Sequence, residues 1–135
     1  MNARKATQLS AGERALYHQV HPLKLGTDLA SAVFGLVLLA EHRPWLGLLL
    51  MFVPSLLASA LLIGFGDFSR TKRSRTGKYL RRYMSAAMQA TRLAGMAIAA
   101  IGAWLHAFWL VPIGAITIVW AWFGTWLLDR YRRLH

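Results

Sequence analysis

Four blocks of apolar residues, separated by short polar or proline-containing breaks, occupy most of the chain between Pro22 and the arginines near the C-terminus. Each block is about twenty residues long, the length a helix rising 1.5 Å per residue needs to cross about 30 Å of hydrocarbon. The breaks predict membrane-spanning helices over 23–41, 45–66, 84–106 and 108–128, an all-α integral membrane protein in which four transmembrane helices form an up-down bundle. Residues 1–22 then form an N-terminal segment, 67–82 the single long loop, and 129–135 a basic tail.

Punctuation supports these boundaries. Pro22 suits a first helical position, where its missing N–H would be unpaired anyway. The purely apolar centre of the first span, Leu29 to Ala40, is short like the core of a signal peptide, but Leu38 and Ala40 before Glu41 do not make a small-x-small cleavage site, so it reads as a retained helix. Glu41 to Pro44 is the whole first connection and predicts a tight antiparallel hairpin. Trp104, His106, Phe108, Trp109 and Pro112 mark an interfacial turn between spans three and four. Gly77 to Met84 beside the third span suggests that this helix begins early and lies partly in the interface. Pro54 frees the carbonyl of Leu50, with Ser55 and Ser59 nearby to help satisfy it. The chain is read as having no internal repeat.

Composition agrees with a lipid environment. The hydrophobic share is 56% and the mean hydropathy +0.39, above the roughly 45–50% apolar usage of soluble domains. Charge adds orientation. Of sixteen Lys and Arg residues, Arg4, Lys5, Arg14 and Lys24 precede or open the first span, Arg70, Lys72, Arg73, Arg75, Lys78, Arg81 and Arg82 lie in the long loop, and Arg130, Arg132 and Arg133 close the chain. Only Arg43 falls in the opposite connections. A preference for cations on the inner face therefore places both termini and the long loop in the cytoplasm, at a plasma membrane of the bacterial inner-membrane type. Tyr79, Tyr83, Trp126 and Tyr131 would sit at the inner interface and Trp45, Trp104 and Trp109 at the outer one. Such a bias forbids dual insertion, so self-association would be parallel. The absence of cysteine excludes disulfides and thiolate chemistry.

Two charged residues fall inside the predicted hydrocarbon, Asp28 and Arg92. Asp28 stands 14 positions before His42 and Arg92 14 before His106, which places both about 21 Å below the outer surface at 1.5 Å per residue. An interhelical ion pair is geometrically open to them; so is snorkelling toward the inner interface. With Lys24 one turn from Asp28 and Gln89 on the face of Arg92, they predict a polar cluster in the inner leaflet. Ala87, Thr91, Gly95, Ala99 and Ala103 recur every fourth position on the third span and form a helix-packing face, for intrachain packing or a subunit interface. Glu41, His42 and His106 would meet near the outer surface if spans one and three are neighbours, a weak set for a metal; His18 and His21 read as caps or interfacial residues, and no metal or other cofactor is expected. The seven cations of the long loop form a surface for anionic phospholipid headgroups, each worth about 1 kcal/mol near the leaflet.

No phosphate loop, nucleophile with a base, or carboxylate pair is present, and only Asp67 accompanies the basic loop, which argues against an enzyme. The sequence alone points first to a non-catalytic accessory subunit, packed against another membrane protein and touching anionic lipid, with no nucleic-acid partner. That reading expects few polar residues facing a cavity. The second is a small transporter or channel built as a parallel homo-oligomer, with the Asp28 and Arg92 cluster in its pathway.

Overall fold

A computed structural model describes residues 9–134; Arg4 and Lys5 lie outside them. The chain is helical, without strands among the described residues, in the order α1 (Ala11–Tyr17), a 3-10 turn (His18–Val20), α2 (Pro22–Ala40), α3 (Pro44–Phe65), α4 (Ser69–Arg73), α5 (Arg75–Tyr83), α6 (Ala86–Trp104) and α7 (Leu110–Leu134). Three helices, α2, α3 and α7, are long and apolar enough to cross a membrane. Helix α6 has the 19 residues of α2, but alanines together with Gln89, Thr91 and Arg92 dilute its apolar character. Leu29, Phe34, Leu56, Leu57, Ile116 and Phe123 are all more than half exposed, a surface that calls for lipid rather than water.

The four long helices form two antiparallel hairpins, α2 on α3 and α6 on α7, joined through α2 and α6. Missing side chains set both crossings. A Cβ on Gly35 of α2 would lie 2.8 Å from Met51 Cβ and 2.9 Å from the Gly47 carbonyl of α3. A Cβ on Gly95 of α6 would lie 2.7 Å from the Gly114 carbonyl of α7, and one on Gly114 would lie 2.9 Å from Ala99. Close backbone approach is how helices gain dispersion contacts where lipid removes the drive to bury apolar surface. Leu39, Met51 and Ala103 bury the α2–α6 contact at the end that carries both short connections.

Each hairpin turns on a left-handed histidine, His42 at φ 57° and His106 at φ 54°. After α2 the Arg43 N–H reaches the Leu38 carbonyl at 2.9 Å and the His42 N–H reaches Leu39 at 3.0 Å, the paired bonds of a Schellman cap; after α6 the His106 N–H reaches Ala103 at 3.3 Å. These caps belong to a set of landmarks that recurs along the chain. Ser10 and Ser74 cap the short amphipathic segments, α2 and α6 have equal length, and His42 and His106 end them, every landmark recurring 64 residues on, from 10 to 74 and from 42 to 106. Thr27 and Thr91, in the same register, each donate to the carbonyl four residues before, at 2.8 and 2.9 Å. The expectation of no internal repeat is therefore qualified by the structure: cap and turn positions and the length of α2 and α6 recur, although α3 and α7 differ in length, with 22 and 25 residues.

Two further expectations change. The 67–82 segment is not an open loop but the helices α4 and α5, and the α6 helix does not begin near Gly77, because the chain breaks at Met84 and restarts with the Ser85 hydroxyl capping the Met88 N–H at 3.4 Å. Together with α1 and the 3-10 turn these short helices cover the end of the bundle opposite the histidine turns. Tyr17, Leu62, Phe68 and Leu80 form the core there. Arg14 donates to the Ile63 carbonyl at the end of α3, and Glu13 meets Lys72 at 2.9 Å. The Lys72 ammonium, followed by the Ser10 N–H, holds the Glu13 carboxyl below its ordinary range. The Tyr79 hydroxyl donates to the Trp122 carbonyl and Tyr83 to Asp129 at 2.6 Å, tying α5 to α7.

Candidate functional site: a polar cavity between the hairpins

Between the two hairpins lies a cavity of about 470 Å³ lined by all four long helices and the 3-10 turn. Its polar wall is built from the first turns of α2 and α6 and from facing residues of the turn and of α3 and α7. Lys24 is 6% exposed, and an ammonium that deep needs all three of its protons satisfied. They are. Lys24 Nζ donates to Asp28 Oδ1 one turn along α2, to Ser55 Oγ at 2.5 Å and to the Ser55 carbonyl at 3.1 Å. Lys24 and Asp28 thus form a neutral pair with no ammonium hydrogen to spare.

Arg92 is arranged differently. Its Nη1 donates to Gln19 Oε1 and to Gln89 Oε1, both at 3.2 Å, while Gln89 Nε2 donates to the same Gln19 oxygen at 3.0 Å. The guanidinium carbon lies 4.7 Å from the centre of the Trp122 ring, a cation–π geometry. No carboxylate of the described residues lies within ion-pair distance of it. A guanidinium carries five N–H donors, and among the described residues only Nη1 is hydrogen-bonded. The Lys24–Asp28 pair cancels, so the cavity keeps one net positive charge, on Arg92.

His18, 8% exposed, lies on the same wall with Nε2 3.2 Å from Ser59 Oγ. Burial is the largest influence on it and pushes the imidazole below its ordinary value, with Lys24 adding to the shift and the Ala15 carbonyl and Asp28 opposing it. Beyond these groups the lining turns apolar, through Leu25, Leu29, Ala32, Met51, Met96 and Ile118.

Of the four residues assigned to an intramembrane cluster, all line this cavity, yet Asp28 and Arg92 are not paired with each other; each has a nearer partner, Lys24 for one and the two glutamines for the other. Gln19, Ser55, Ser59 and Trp122 complete the site. Gln19 precedes Pro22, in a segment that sequence places outside the membrane, and only the return of that segment over the bundle end brings it to Arg92.

The helix-packing face divides. Gly95, Ala99 and Ala103 are buried against α7 and α2, whereas Ala87 is exposed and Thr91 half-buried. Its buried part is therefore intrachain. Arg70, Arg73, Arg75, Lys78 and Arg81 are exposed, Lys72 pairs with Glu13, and Arg82 lies 3.2 Å from Asp129. His42 and His106 do meet, with ring centroids 4.8 Å apart, and Trp104 stacks edge-on to His42 at 4.9 Å. Glu41 does not complete a site with them: no group of three metal-ligating side chains occurs among the described residues.

No family model, curated protein or solved structure matches this chain.

Proposed function

We propose that the protein is a four-span membrane protein with both ends on the cytoplasmic side, acting as a small transporter whose pathway is the cavity between its two hairpins. Helix α6 is taken as the fourth span because it runs antiparallel to α7 along their glycine crossing and turns Gln89 and Arg92 into the cavity rather than to lipid. The observation that carries the transport reading is the cavity itself, with a fully bonded Lys24 paired to Asp28 and an Arg92 that keeps N–H donors beyond those taken by Gln19 and Gln89. A purely packing subunit has no use for a charged, laterally open cavity between its own hairpins, where an ionised side chain costs about 2.5–3.5 kcal/mol on insertion scales. Parallel repeats with a binding site at their interface are also a recurrent plan for membrane transporters.

Flux into proteoliposomes tests this reading, measured as electrogenic uptake of small and medium-chain carboxylates and inorganic phosphate. Uptake by the native chain that disappears in Arg92→Gln, with helical content intact, supports it. Currents indistinguishable from protein-free liposomes across the series contradict it.

The accessory reading is supported by one separate feature, the exposed cations of α4 and α5 beside the covered bundle end. On the proposed orientation they face the anionic inner leaflet, and we assign them to headgroup contact whether or not the cavity transports. Any self-association remains parallel.

A further inference from the structure

We infer that the cavity is a binding site for an amphiphile with an anionic head, a carboxylate or phosphate carrying a single apolar chain. The inference rests on the reading of the cavity as a solute pathway and names what enters it.

Three features point to that class. The first is charge. Arg92 is the cavity's single uncompensated cation, it has N–H donors left over, and it is held from behind by Gln19 and Gln89 and flanked by Trp122. Such a guanidinium is preorganised for a carboxylate or phosphate oxygen, which it can meet through two parallel N–H bonds. The neutral Lys24–Asp28 pair leaves no second charge to attract a cationic or zwitterionic head.

The second is the gradient of polarity. The polar groups lie in the opening turns of α2 and α6, and the lining becomes apolar toward mid-helix at Ala32, Met51, Met96 and Ile118. From Lys24 to Ala32 this change takes about 12 Å at 1.5 Å per residue. A ligand with its head on Arg92 would lay its chain toward the bilayer centre, the posture of an inner-leaflet lipid in the proposed topology. Two methionines in the apolar part offer adaptable contact for a chain. The third is access. Leu29, 69% exposed, and Leu93, 62% exposed, stand on the rim, so the cavity opens sideways where lipid would be. Its volume falls within the range of about 300–1,000 Å³ of small-molecule sites.

The test is binding to the full chain in phosphatidylcholine nanodiscs, read by thermal midpoint and titration calorimetry. The probes are laurate and dodecyl phosphate, with acetate and inorganic phosphate as head-only ligands and dodecyltrimethylammonium as a chain with the opposite charge. The inference expects saturable stabilisation by laurate and dodecyl phosphate, little from the head-only anions, and none from the cation. Arg92→Gln should weaken laurate by about tenfold or more, as expected for loss of a charge-assisted contact, and Arg92→Lys by less. Met96→Trp, which fills the apolar part without touching a charge, should weaken laurate equally, so the test survives if the Arg92 variant does not fold. Equal binding of inorganic phosphate would assign the site to a soluble anion, equal binding of dodecyltrimethylammonium would reduce it to an apolar groove, and unaltered laurate affinity in a folded Arg92→Gln would place the head elsewhere; each overturns the inference. Intact laurate binding without flux in proteoliposomes counts against transport alone.

Discussion

Lys24, Asp28, Gln89 and Arg92 were conspicuous in the sequence because ionised and amide side chains are costly inside hydrocarbon, and helical spacing put Lys24 beside Asp28 and Gln89 beside Arg92, but it left open whether Asp28 and Arg92 pair across the helices. Equal spacing from the two histidine turns gives equal depth, and depth says nothing about which way round a helix a side chain points. Asp28 is bonded to its own Lys24, which also reaches the α3 serine Ser55, while Arg92 is bonded to a glutamine from a segment that no periodicity places near it. Residue-level consequences follow from burial. His18 has its imidazole pushed down by desolvation, so the unfolded chain takes up the proton first as pH falls through the ordinary histidine value of about 6.5. Stability is therefore fully present above that pH and declines below it until the folded state also protonates. The thermal midpoint of the native chain should drop between neutral and mildly acidic pH more than that of His18→Gln; parallel profiles would show that His18 is not the responsible group. The Tyr17 hydroxyl is buried without a hydrogen-bond partner, so Tyr17→Phe should leave stability within about 1 kcal/mol of native, or raise it.

At the scale of elements, the blocks of apolar residues located α2, α3 and α6 to within two positions and the start of α7 likewise, because hydrocarbon thickness and prolines at the first helical turn are local constraints; α7 instead continues past the expected end at 128 through the basic tail to Leu134. The covered end was not legible. Its order comes from Tyr17, Phe68 and Leu80 meeting across long stretches of chain, and from Ser74 and Ser85 capping two helices where one was expected. The recurring landmarks escaped for a related reason: caps and the length of α2 and α6 recur while the lining residues differ, Asp28 standing at the position in α2 that Arg92 takes in α6. The glycine crossings give a direct check. Gly114→Leu forces a side chain into Ala99 and the α6 backbone and should cost about 1–3 kcal/mol or more by overpacking. Gly26→Ala, where an added Cβ meets nothing within 4 Å, should be neutral or stabilising by up to about 1 kcal/mol, since glycine weakens a helix interior. Paired thermal melts distinguish the two, and equal behaviour would mean that close backbone approach does not hold the second hairpin.

For the whole molecule, charge distribution suggested an orientation and the fold supplied a reason for it to matter. The polar end of the cavity, the covering helices and the exposed cations share one end of the bundle; the histidine turns and their aromatic neighbours share the other. Three helices long and apolar enough to cross a membrane and a lipid-suited exterior are common to both functional readings. What separates them is whether the void between the hairpins is wet and reachable. The absence of native cysteine makes that question clean, because a single Ser55→Cys places one thiol on the cavity wall. Labelling it with a membrane-impermeant methanethiosulfonate in sealed vesicles of each orientation is the most direct measurement: reaction from the cytoplasmic face only, slowed by laurate, is the expected result, and a thiol reached from neither face, or only from the outside, would contradict the account.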